Sequence, residues 1–203
     1  EIELLAPPQI YYWARTRDGA PWKSYFDTIA RMEGHADGAE GLYGEPDLAL
    51  VDAAGGNVFF IDADVVAALS DRSARLPRSM AAYHEGDTAF RGGFARVARE
   101  GYFALARKLV IVRGIAAQTE FRGKLVSLVN PATQPRAREE LRAFRSALTP
   151  EGVDAHEVLT WAALFDAIAP RARTETRGMR TSLAEYFERK TISRRPALLS
   201  RSR

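Results

Sequence analysis

The chain has 203 residues, 46% of them hydrophobic and 27% charged, with no cysteine, three histidines and a formal net charge of +3. That composition excludes disulfide-stapled scaffolds and cysteine–zinc centres, and no apolar stretch approaches the roughly 18 to 20 residues that span a bilayer. The opening Glu1-Ile2-Glu3-Leu4-Leu5 reads as no signal peptide, and no membrane partner is expected; the absence of cysteine makes a cytoplasmic address the expectation.

Residues 1–20 read as an irregular N-terminal segment, broken by Pro7-Pro8 and Asp18-Gly19. Pro21 opens a helix whose apolar residues Trp22, Tyr25, Phe26 and Ile29 recur at three and four, and Gly34 stops it. Glu33 lies four residues beyond Ile29, on the inward face. After an acidic, glycine-rich loop comes a hairpin pattern. Pro46 to Asp52 forms one strand, Ala53-Ala54-Gly55-Gly56 the turn, and Asn57 to Val65 the other. Residues 66–87 are a long connection, and a helical pattern with weak points at Gly92-Gly93 and Gly101 runs from Thr88 to about Val112. Lys124 to Asn130 reads as a strand. Helices are expected at about 135–148, 159–169 and 181–190, the last with Ser182 and Glu185 in capping-box spacing. The whole is expected to be one α/β domain over 21–190, a mixed central sheet flanked by helices, with a basic tail over 191–203 that is solvated or disordered.

Charge is distributed unevenly along this order. Residues 171–203 hold ten Lys/Arg against three Asp/Glu, while residues 1–170 hold nineteen against twenty-three. Arg171, Arg173, Arg177 and Arg180 are therefore candidates for gripping phosphates, with nucleic acid as the first partner to consider and a solvated loop as the plain alternative. Conversely, no Lys or Arg lies between Met32 and Asp71, where eight acids stand: Glu33, Asp37, Glu40, Glu45, Asp47, Asp52, Asp62 and Asp64. Asp62 and Asp64 fall inside an apolar strand, where unpaired carboxylates lose hydration. If Asp52 faces Asn57 across the turn, Asp47 falls opposite Asp62 on the same face, and a one-residue slip would part them. The readings without a metal are a solvent-facing hairpin edge whose charges discourage aggregation, and pairing with Arg72 or Arg75. The three histidines are far apart, so a bound metal would be a hard ion on oxygen ligands.

A helical acid, Pro-Asp on one strand and acids on the next, here Glu33, Pro46-Asp47 and Asp62-Ala63-Asp64, resembles the PD-(D/E)XK, or restriction-endonuclease-like, nuclease superfamily. The resemblance spans roughly residues 22–190 and rests on a short motif. It implies a metal-dependent endonuclease hydrolysing phosphodiester bonds in DNA. Mg²⁺ or Mn²⁺ would sit on Glu33, Asp47 and Asp62, and a homodimer would be common among members that cut both strands. The family pattern places lysine at position 64, where this chain has Asp64, which would serve as a further ligand or base. Lys124 is the first candidate to replace the missing lysine and Lys108 the second. The alternatives are a degenerate, non-catalytic nucleic-acid or protein interaction module of the same fold, and a structural or small-molecule-binding α/β domain.

Overall fold

The computed structural model describes residues 8–33, 46–63, 83, 88–131 and 134–168. In chain order they form β1 (Gln9–Tyr12), α1 (Lys23–Glu33), β2 (Leu48–Asp52), β3 (Asn57–Asp62), α2 (Phe94–Val97), α3 (Phe103–Thr119), β4 (Arg122–Val129), α4 (Ala137–Ser146), α5 (Pro150–Asp154), β5 (His156–Thr160) and α6 (Trp161–Ile168). The five strands lie side by side in chain order. They are antiparallel from β1 to β3 and parallel from β3 to β5, so the sheet is mixed and the fold is α/β.

The hairpin turn is closed by one side chain. Asp52 is buried at the end of β2, and its carboxylate accepts from the Gly55 N–H at 2.9 Å and from Asn57 Nδ2 at 3.4 Å. Those bonds close the turn with Asp52 opposite Asn57, and the pairing then runs without a slip to Leu48 opposite Ile61. Gly55 has no room for a side chain, since a Cβ there would fall 2.1 Å from Asp52 Oδ2.

One face of the sheet carries Ala49, Val51, Val58, Phe60, Leu125 and Val158, as strand alternation and the register require. Helices α1, α3 and α4 pack on it. Trp22, just before α1, stacks on Tyr11 of β1 at 4.6 Å and meets Phe60 edge-on at 6.0 Å. Gln118 of α3 donates to Thr28 Oγ1 of α1 at 2.8 Å, tying those two helices together. Phe144 of α4 contacts Tyr102 and His156 at 5.6 and 5.1 Å. Helix α3 is central. All residues from Leu105 to Val112 are buried, and a helix apolar nearly all round belongs in an interior. Its backbone lies directly on β4, because a Cβ on Gly123 would be 2.5 Å from the Val112 carbonyl oxygen.

Several expected elements are corrected. The segment 1–20 is not wholly irregular, since Gln9–Tyr12 adds an edge strand to β2. The helix expected from Thr88 begins at Phe94, breaks in a π-helical turn at Ala98–Tyr102 where Gly101 has φ 103°, and continues to Thr119. The helix expected at 159 starts at Trp161, because Leu159 and Thr160 belong to β5 and pair with Leu128 and Val129. The 181–190 helix and the 191–203 tail lie outside the described residues, as does the 66–87 connection apart from Tyr83. No helix among the described residues is long and apolar enough to cross a membrane.

Candidate active site

Three chemically competent side chains meet at the carboxyl end of β3. Asp62 is its last residue, and the register places Asp47, the residue before β2, directly across from it. Cβ atoms so paired lie about 5 Å apart. The backbone confirms the approach, since Asp47 Oδ2 accepts from the Ala63 N–H at 2.7 Å.

The third group comes from α3. Lys108 Nζ donates to Asp62 Oδ1 at 2.5 Å, with the two side chains only 9% and 11% exposed. Lys108 stands three residues after Leu105 and four before Val112, so helical periodicity turns it toward the sheet. The close seat of α3 on Gly123 lets its stem reach the end of β3. Each carboxylate thus has one oxygen engaged by a protein donor. Among the described residues, Asp47 Oδ1 and Asp62 Oδ2 accept no hydrogen bond from the protein. A hard divalent cation that keeps most of its water needs only one or two carboxylate oxygens, and this pair suits it. No group of three or more His, Asp or Glu placed to hold a metal occurs among the described residues.

The other sequence-derived candidates divide. Lys124 is not brought to the site. It pairs with Phe59, three positions from Asp62 along the sheet and on the opposite face, so Lys108 rather than Lys124 meets the acid. Glu33 is the last residue of α1, but its side chain lies outside the description, and Asp64, Arg171, Arg173, Arg177 and Arg180 lie outside the described residues altogether.

A second pair was not anticipated. Ser127 of β4 lies beside Asp62 in the parallel register and faces the same way, and its Oγ is 3.0 Å from His156 Nε2. Both residues are buried, and His156 Nδ1 has no hydrogen-bond partner among the described residues. Burial first, and then the charge of Arg145, push the His156 imidazole down to about 3, so it is neutral at physiological pH. The alternation of His156-Glu157-Val158-Leu159-Thr160 could have signalled a strand. The helical pattern beginning at Leu159 concealed it.

Compared with known proteins, the chain matches no family model, no curated protein and no solved structure at a significant level.

Proposed function

We propose that this protein is a metal-dependent phosphodiesterase with a restriction-endonuclease-like fold, acting on DNA through Asp47, Asp62 and Lys108. The observation that carries the reading is the approach of Lys108 to Asp62 beside Asp47. An ammonium group from the helix after β3 would supply the charge that the family pattern puts at position 64, where this chain has Asp64. The antiparallel β2–β3 hairpin followed by a helix and the parallel strand β4 supports the same reading.

The chemistry follows from the groups themselves. A bound Mg²⁺ or Mn²⁺ would neutralise phosphate charge and supply an activated water. Asp47 and Asp62 would hold it through their open oxygens. The Ala63 N–H orients Asp47, and Lys108 orients Asp62. An ammonium carries three donors, and Asp62 uses one of them, so Lys108 retains donors for a phosphate oxygen or the attacking water. Asp64 and Glu33 are further candidate ligands within this reading, and the arginines at 171, 173, 177 and 180 are candidate backbone contacts.

A second reading has an observation of its own. The Lys108–Asp62 pair is nearly buried, as a structural ion pair in a non-catalytic module of the same fold would be. Supercoiled plasmid separates the two. The catalytic reading predicts nicking by the parent in Mn²⁺ or Mg²⁺ and none by Asp62→Asn purified identically. Intact plasmid with both proteins would leave only the structural reading.

A further inference from the structure

Away from the acid pair, a pocket of about 600 Å³ opens between α4 and the carboxyl ends of β4 and β5. Its walls are apolar, formed by Val129, Leu141 and Val158 among others, and three arginines of α4, Arg138, Arg142 and Arg145, line it too. Spacings of four and three place those arginines on one stripe of the helix, beside the buried face formed by Ala137, Glu140, Leu141 and Phe144. Arg145 is anchored, since its guanidinium donates to the His156 carbonyl oxygen. Arg138 and Arg142 are exposed, and among the described residues neither makes an ion pair with an acid. Like charges at this spacing repel one another, which costs stability unless an anion lies between them.

We infer that this pocket binds a small organic anion with an apolar body, its carboxylate or phosphate head held by Arg138 and Arg142 and its body against Val129, Leu141 and Val158. The volume falls within the range of small-molecule sites, and a concave apolar wall with a few polar groups is their usual form. Guanidinium groups match carboxylate and phosphate oxygens in pairs. A nucleic-acid backbone would be met by a flatter, wetter basic surface, so concavity and apolar walls favour the small anion. The site is independent of the proposed hydrolysis, because none of its lining residues is Asp47, Asp62 or Lys108.

The test is fluorescence titration of the full chain with anilinonaphthalene sulfonate, an apolar-bodied anion. The expected result is saturable binding of one dye per chain, displaced by octanoate and at least tenfold less well by 1-octanol. The double variant Arg138→Glu, Arg142→Glu, checked for an unchanged thermal transition, should bind at least tenfold more weakly, while Asp62→Asn should bind like the parent. Absence of saturable binding, equal displacement by 1-octanol, or unchanged affinity in the double variant would overturn the inference. Displacement by a short DNA duplex but not by octanoate would also overturn it, making α4 a nucleic-acid contact instead.

Discussion

Lys108 and Asp62 form a nearly buried ion pair on which a share of the stability and, in the proposed function, the chemistry turn. Removing one partner of a nearly buried ion pair strands the other, at a cost of about 3 to 5 kcal/mol when burial is complete. Lys108→Met is therefore expected to lower the free energy of unfolding by about 3 kcal/mol, and Lys108→Met with Asp62→Asn to recover part of that loss. Urea denaturation of both single variants and the double variant measures the coupling. Simple additivity would show that the contact contributes nothing. His156 gives a second prediction. Its folded-state pKa lies near 3 and its unfolded value near 6.5, so the unfolded chain binds the extra proton between those values. Stability from this residue is intact above about pH 6.5 and falls by up to about 1.4 kcal/mol per unit as pH drops toward 3. His156→Gln should unfold with a shallower acid dependence between pH 6.5 and 4, followed by urea midpoints at each pH. An identical dependence in the two proteins would mean that His156 does not couple folding to protons.

At the scale of elements, the turn chemistry between β2 and β3 decides whether the site exists at all. Asp52 closes the turn, and the hairpin register puts Asp47 across from Asp62. Asp52→Ala leaves the Gly55 N–H and the Asn57 amide without their acceptor, at about 1 to 3 kcal/mol. It should also reduce any metal-induced stabilisation, because the strand ends are no longer pinned. Thermal melts with and without Mn²⁺ report both effects. Gly123→Ala drives a methyl into the Val112 carbonyl and pushes α3 off β4, for an expected loss of about 1 to 3 kcal/mol. The hairpin and its register were legible in the sequence because acids, turn residues and alternation agreed. The path of Lys108 was half legible. It was the second candidate to replace the missing lysine, but nothing local said that it faces inward or which strand end it would reach. That depends on Gly123 admitting the helix backbone, a tertiary fact. Strands β1 and β5 were missed for a related reason. Four or five residues at a sheet edge carry little periodicity, and the helical pattern entering from Leu159 overrode the strand pattern before it.

For the molecule as a whole, Asp47 and Asp62 meet at one strand end, while along the sequence positive charge concentrates in residues 171–203. A domain that grips DNA through those arginines should bind a duplex with affinity falling steeply as salt rises. Filter binding between about 50 and 200 mM salt checks this, and a flat response would remove nucleic acid as the partner. The central claim, that Lys108 rather than Lys124 completes a hydrolytic centre with Asp47 and Asp62, is tested most directly by plasmid nicking in Mn²⁺ with three proteins side by side. The account predicts nicking by the parent and by Lys124→Met, and none by Lys108→Met at a temperature where that variant remains folded. Equal nicking by Lys108→Met and the parent, or loss of nicking only in Lys124→Met, would contradict it.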